Sequence, residues 1–293
     1  MDLLTDILQQ AGLQRAVLRQ REGSAPWVIT CRCDRSIAFH LVRAGQVTIE
    51  GCRCSQRLEL EPGDLVMLAR GFDHTVTTRT PAGQEVAVIS GHYRLWNDPV
   101  HMIFRELPTT FVLRGAEAEE IPAIRRLLPV IEAELADLQM GADSARRGLL
   151  DVLFNYLLRA WLDRHTGSET GWAGALQDPQ LVRVFTLLHT QWTRSWTLDE
   201  LASESGFSRP TLARRFKQHT GDTPLHYLTT LRVQRAMHLL SNTLLPIGAV
   251  ADQCGYSDAF VFSKAFKRLT GESPRDFRQR NLAEAVARQE GEA

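Results

Sequence analysis

Leu198-Asp199-Glu200-Leu201-Ala202-Ser203-Glu204-Ser205-Gly206-Phe207-Ser208 returns later in the chain as Ile247-Gly248-Ala249-Val250-Ala251-Asp252-Gln253-Cys254-Gly255-Tyr256-Ser257. Leu198, Leu201, Ala202 and Gly206 stand at one constant offset from Ile247, Val250, Ala251 and Gly255. After one extra residue in the second copy the match resumes. Leu212, Arg214, Phe216, Lys217, Thr220, Gly221 and Pro224 then correspond to Phe262, Lys264, Phe266, Lys267, Thr270, Gly271 and Pro274. An internal repeat of this kind marks one supersecondary unit used twice. Each copy reads as helix, tight turn, helix. The small Ala202 and Ala251 let the second helix cross closely. Gly206 and Gly255 stand where the chain leaves the first helix, a place that favours positive φ. Ser208, and either Ser257 or Asp258, are N-caps for the second helix. The pattern is a helix-turn-helix, whose second helix enters the major groove of DNA.

Helical spacing assigns the faces of those second helices. Leu212 and Phe216 are i and i+4 and turn inward, which puts Arg209, Pro210, Ala213, Arg214 and Lys217 on the outer face. In the other copy Phe262 and Phe266 turn inward, leaving Ala259, Phe260, Ser263, Lys264 and Lys267 outside. Phe260 either packs on a neighbouring helix or meets a thymine methyl. A basic helix face is usually a solvated surface, but two at matching places of a helix-turn-helix repeat point to DNA. Net charge is zero over the whole chain, whereas residues 178–281 hold 14 Lys or Arg against 9 Asp or Glu, including all three lysines. That local surplus fits phosphate contact, with Arg209, Arg215, Lys217, Lys267 and Arg268 as the candidate ligands.

The 293 residues suffice for two ordinary domains with proper cores. No apolar run approaches the roughly 18 residues that span a bilayer. The start, Met1-Asp2-Leu3-Leu4-Thr5-Asp6, lacks the basic and apolar stretches of a secretory signal. The expectation is a cytoplasmic protein with no membrane partner and with reduced thiols.

Residues 178–281 resemble the DNA-binding domain of AraC/XylS-type regulators. The resemblance rests on Leu201-Ala202-x-x-x-Gly206-Phe207-Ser208, Phe216-Lys217, Thr220-Gly221, Leu231-Arg232 and Ile247-x-x-Val250-Ala251. Gly255-Tyr256-Ser257, Phe262-Ser263-Lys264-Ala265-Phe266-Lys267-Arg268 and Gly271-Glu272-Ser273-Pro274-x-x-Phe277-Arg278 complete it. It implies two helix-turn-helix units held by a linker helix, about Pro224 to Ser241, that address successive major-groove turns on one DNA face. Arg214 and Lys264 fall where such regulators often carry base-contacting residues. Family members often have larger side chains where Pro210 and Ala213 stand.

Ahead of this domain, residues from about 15 to 112 carry short apolar runs: Ile37–Val42, Gln46–Glu50, Leu58–Leu60, Leu65–Leu68 and Val86–Ile89. Turns at Ala44-Gly45, Pro62-Gly63-Asp64 and Pro81-Ala82-Gly83 separate them, the pattern of an antiparallel sandwich or small barrel. Phe39-His40-Leu41-Val42-Arg43-Ala44-Gly45 and Leu60 through His74 resemble a cupin-like sensor barrel. His74, and nearly His40, sit where cupins place metal ligands. A full set would need a second His where Val42 stands and a Glu after it, so a metal-dependent cupin enzyme fused to a DNA-binding domain is the weaker alternative. The plainer reading of His40 and His74 is a barrel-lining pair.

Four of the five cysteines come as Cys31-Arg32-Cys33 and Cys52-Arg53-Cys54. Residues i and i+2 share a strand face. A hairpin about Ala44-Gly45 would bring all four thiols to one end, where they suit zinc or another soft metal. The flanking arginines favour thiolate and oxidation chemistry. Incidental cysteines beside an organic-ligand barrel are the bland alternative, and Cys254 reads as helix packing.

Between the two halves, Ile121, Ile124, Leu127, Leu128, Ile131 and Leu135, then Leu149, Leu150, Leu153, Leu157 and Trp161, recur at helical spacing. These two helices supply an antiparallel dimer contact or simply pack on the barrel. The expected fold is α+β with two domains. Residues 1–115 form the cupin-like barrel, 116–168 a helical dimerisation segment, and 178–281 an all-α tandem helix-turn-helix domain. The expected function is an effector-responsive transcription regulator or activator, not an enzyme. Its partners would be double-stranded DNA, a second copy, RNA polymerase and a small effector.

Overall fold

In the computed structural model, which describes residues 13–15, 18–32, 36–51, 57–69, 72–95, 107–136, 139–165 and 171–291, the strands on either side of Gly45 do not form a hairpin. The strand before it, β4 (Ser36–Ala44), pairs with β7 (Leu65–Leu68) and β9 (Glu85–Leu95). The strand after it, β5 (Val47–Gly51), pairs with β6 (Leu58–Leu60) and β8 (His74–Thr78). The chain therefore steps from one sheet to the other at this turn. The expected hairpin is corrected: Ile37 lies opposite Tyr93 of β9. At Gly45 φ is 70°, and an added Cβ would lie 2.6 Å from Thr80 Oγ1. The tight crossing thus excludes a side chain.

The larger sheet runs β1 (Leu13–Arg15), β9, β4, β7, β10 (Thr110–Leu113), with β2 (Arg19–Ser24) also on β9. The smaller runs β3 (Val28–Cys31), β8, β5, β6. Their facing sides enclose a core that includes Ala38, Val42, Val47, Ile49, Leu60, Val66, Leu68, Phe72, Val76 and Val88. Strands β2, β3 and β8 lie outside the apolar runs named above.

Every residue from Ser36 to Val42 is buried. Alternate residues of β4 face opposite ways, so both faces must be covered. One faces the sandwich interior. The other lies under α3 (Ala142–Arg164), which packs in turn on α2 (Pro122–Ala136), with α1 (Gly115–Glu120) ahead of it. Phe39 packs on Phe154 at 5.8 Å between centroids, and Tyr93 donates from its hydroxyl to Asp151 at 2.6 Å. Burying a ring such as Phe154 contributes roughly 1.5–3 kcal/mol. The helical layer thus packs on the sandwich, and it is three helices rather than two. Val130, Met140 and Val152 remain exposed.

The described residues from Gly171 onward form a second compact unit. Its helices are α4 (Gly171–Gln177), α5 (Pro179–Thr190), α6 (Leu198–Ser205), α7 (Arg209–Thr220), α8 (Pro224–Asn242), α9 (Ile247–Gln253), α10 (Ala259–Thr270) and α11 (Pro274–Gly291). Helix α8 belongs to two cores. Tyr227 packs with Trp172, Phe185 and Phe216. Val233, Ala236, Met237 and Leu240 pack with Val250, Phe262, Phe266 and Phe277. No helix among the described residues is long and apolar enough to cross a membrane.

Candidate functional site

Both repeat copies build the turn that their glycines require. Helix α6 starts on a capping box, Thr197 with Glu200, and stops at Gly206, where φ is 77°. Helix α9 has Cys254 as its C-cap, and Gly255, with φ 74°, follows one residue later. Ser208 caps α7 by accepting from the Thr211 amide. In the second copy the cap is Asp258, not Ser257, and its carboxylate accepts from Phe260 N at 2.6 Å and Val261 N at 3.4 Å. Leu212, Phe216, Phe262 and Phe266 are fully buried. These anchors fix which sides of α7 and α10 remain outside.

On α7 the exposed residues include Arg209, Pro210, Arg214 and Lys217, with Ala213 partly covered. On α10 they include Ala259, Phe260, Lys264 and Lys267. Phe260 is 76 % exposed, so it does not pack on a neighbouring helix. Val261 beside it is 53 % exposed and escaped the reading of the sequence, although it too lies away from the Phe262–Phe266 stripe. Ser263 is partly covered, and its hydroxyl donates to the Ala259 carbonyl at 2.7 Å.

The arginines differ from one another. Arg209 pairs with Asp199 at 3.1 Å, and the half-buried Arg215 pairs with Asp178, the N-cap of α5, at 2.9 Å. Both are candidate phosphate ligands by sequence, and both are held by carboxylates of their own unit. Arg232 acts internally. Its guanidinium donates to the carbonyls of Trp192 at 2.7 Å and Arg194 at 2.8 Å, tying the segment before α6 to α8. In the sequence its only mark is its place in a motif.

In the sandwich, β3 and β8 bring Cys31 directly opposite His74, and His40 of β4 reaches across from the other sheet. His40 Nε2 lies 2.7 Å from His74 Nε2. One ligand atom from each of Cys31, His40 and His74 falls within 4.8 Å of the other two. His40 Nδ1 meets Ser90 Oγ at 2.8 Å, and His74 Nδ1 donates to the Phe72 carbonyl at 3.0 Å. Burial, reinforced by His74 and His92, pushes the His40 imidazole down to about 3. Burial also lowers His74, against the opposing pull of the Phe72 carbonyl and Asp73. Both rings are therefore neutral near pH 7, the form that coordinates metals.

A thiol and two imidazoles make a donor set for a metal, but not the four-thiol set expected from the sequence. Cys33, Cys52 and Cys54 lie outside the described residues. Cys31 is not in a disulfide. What brings Cys31 to the histidines is the β3–β8 pairing, a contact between segments distant in the sequence. Cys254 is fully buried as expected for packing, and burial pushes its thiol up to about 12.

Comparison with known proteins agrees with both halves. Residues 2–163 match the family described as Cupin, and residues 201–280 match a helix-turn-helix domain. An AraC-like transcription regulator of Streptomyces antibioticus is 27% identical over 300 residues, covering 95% of this chain and 99% of its own. The RCS-specific HTH-type transcriptional activator RclR of Escherichia coli K12 is 26% identical over 244 residues, covering 83% of this chain and 84% of its own. A solved structure of the DNA-binding domain of AdpA, a global transcriptional factor, with target DNA is 31% identical, covers 36% of this chain and 96% of its own, and gives a TM-score of 0.35.

Proposed function

We propose, because this chain belongs to the AraC-type transcription regulators that carry an N-terminal cupin domain, that it reads promoter DNA through α7 and α10 and is switched by an effector in its sandwich domain. The protein is a DNA-binding regulator and not an enzyme, as are the relatives it aligns with over nearly their full length. The observation that carries the detailed reading is the matched pair of outer faces, Arg209, Pro210, Arg214 and Lys217 on one helix and Phe260, Ser263, Lys264 and Lys267 on the other.

On this reading Arg214 and Lys264 reach base edges, Lys217 and Lys267 neutralise phosphates, and Phe260 with Val261 meets thymine methyls. Because α8 threads both cores, the two reading helices keep a fixed separation. They address successive turns of the groove, with the same side of the duplex toward the protein. Contact with RNA polymerase would follow from binding near a promoter. The exposed Val130, Met140 and Val152 support the helical layer as the place where a second copy docks.

The effector binds in the sandwich. The clustered Cys31, His40 and His74 favour a metal. The partly exposed Cys31, which is in no disulfide, supports an oxidant as the second reading, with its thiol as the group oxidised. Footprinting of the full chain on the DNA upstream of its own gene tests the main reading. Two protected stretches about one helical turn apart on one face are expected. Protection that persists on a scrambled sequence would refute sequence-specific reading.

A further inference from the structure

Two imidazoles and a thiol are expensive occupants of a core otherwise built from Ala38, Val42, Ile49 and Val76. An apolar trio would pack there at lower cost. Their hydrogen bonds explain how they are tolerated and also what they are set up to accept. The Phe72 carbonyl can only accept, so His74 must carry its proton on Nδ1. Its Nε2 is then a bare lone pair aimed at His40. The 2.7 Å contact requires His40 to hold its proton on Nε2, which leaves His40 Nδ1 to accept from the Ser90 hydroxyl.

We propose that Cys31, His40 and His74 form a three-donor site for zinc or a similarly thiophilic divalent ion, and that Ser90 gates it by setting the His40 tautomer. This deepens the regulator reading by naming the class of effector, and it rests on that reading only for its effect on DNA. The donor set is one thiolate and two imidazoles, which selects soft cations over calcium or magnesium. It differs from the His-and-Glu set that the cupin resemblance implied.

His74 Nε2 already carries an unprotonated lone pair, which turns from the His40 N–H to the metal. For His40 the proton passes from Nε2 to Nδ1, and the Ser90 hydroxyl turns from donor to acceptor. Both rings then donate their second N–H to an oxygen, the arrangement that orients metal-bound imidazoles. The Cys31 thiol releases its proton to solvent as Sγ binds. Zinc–nitrogen bonds of about 2.0–2.1 Å in a tetrahedron place two nitrogens ~3.3 Å apart. The rings must separate by about 0.6 Å, and the sulfur must close to ~3.6 Å from each nitrogen, by side-chain rotation. The three donors leave one tetrahedral position open.

The site also has a route outward. His40 and Ser90 are register partners on β4 and β9. Their chain neighbours Phe39 and Gly91 turn to the opposite face, toward α3. Phe39 packs on Phe154, and a Cβ on Gly91 would lie 3.1 Å from Leu150. A metal that fixes His40 therefore constrains the β4–β9 pair on which α3 rests.

The test is titration of reduced, full-length protein with cobalt(II), followed by displacement with zinc. One cobalt per chain is expected, with a thiolate-to-cobalt absorption and the strong visible bands of four-coordinate cobalt. Cys31→Ser should lose the sulfur band and bind at least about tenfold more weakly. Ser90→Ala should keep the band but weaken binding about tenfold. A Cys33→Ser/Cys52→Ser/Cys54→Ser triple variant should titrate like the parent. Zinc should raise the parent's Tm more than that of Cys31→Ser, whose metal-free Tm should match the parent's and so show that it folds. Absence of stoichiometric metal, a sulfur band that survives Cys31→Ser, or its loss in the triple variant would overturn the site. DNA affinity unchanged by zinc in a loaded protein would overturn its role as effector. Failure to bind any duplex, with or without zinc, would instead count against the regulator reading, and the cobalt titration alone would then decide whether the site exists.

Discussion

Gly206 and Gly255 hold matched places in the repeat, yet they should tolerate alanine very differently. Both have positive φ, 77° and 74°. Forcing an L-residue there costs about 1–2 kcal/mol. At Gly206 an added Cβ meets only the Gln180 side-chain nitrogen, at 3.4 Å. At Gly255 it would lie 2.7 Å from both Cα and O of Thr193 and 3.1 Å from the Arg232 guanidinium. The Thr193 backbone must move, and its carbonyl also accepts from Arg232 at 3.2 Å. Overpacking of this kind adds about 1–3 kcal/mol. Gly206→Ala should therefore cost about 1–2 kcal/mol and Gly255→Ala about 2–5 kcal/mol. At roughly 4 °C per kcal/mol, the second Tm shift should exceed the first by about 4–12 °C. Calorimetry of the full chain measures this, with the relevant transition identified as the one that operator DNA raises. Equal shifts would refute the argument that the Thr193 backbone, rather than φ alone, sets the cost.

Arg214→Ala and Lys264→Ala should each lose about 1–3 kcal/mol on cognate duplex and far less on scrambled duplex; equal, negligible losses on both would remove them as readers. Binding should weaken steeply with salt, and Lys217→Ala and Lys267→Ala should each lower the log–log slope by about 0.9. Arg215→Ala should instead lower thermal stability, because its guanidinium is committed to Asp178; a full slope change with no loss of Tm would contradict that assignment. With its thiol raised from 9.0 to about 12, Cys254 should hold about 10³-fold less thiolate at pH 8 than an unperturbed cysteine. Mass spectrometry should find it unlabelled by iodoacetamide until the protein unfolds, and rapid native labelling would count against its burial.

The helix-turn-helix half was legible because its information is local. Gly206, Ser208, Leu212 and Phe216 specify a turn, a cap and an inward stripe within a dozen residues, and the second copy repeats the statement. Strand pairing is not local. The run at Ile37–Val42 announced a strand, but nothing near Gly45 shows that the next strand joins the opposite sheet. The inference that four cysteines converge rested on that step. Cys31 met His74 through β3 and β8, whose Val, Ile and Thr residues favour strands but do not name the partner strand. The distinction among the basic residues was equally hidden, since the Arg215–Asp178 and Arg209–Asp199 pairs appear only once the helices are packed.

The alternation along β4 divides the strand between two lineages of change. Ala38, His40 and Val42 look into the sandwich, while Ile37, Phe39 and Leu41 look the other way. Descendants of this chain can exchange what they recognise by substitutions at even positions without disturbing the odd positions on which the helices rest. One short strand thus separates the inheritance of ligand preference from that of the transmitting surface, and a common scaffold can acquire a new signal while keeping its old response.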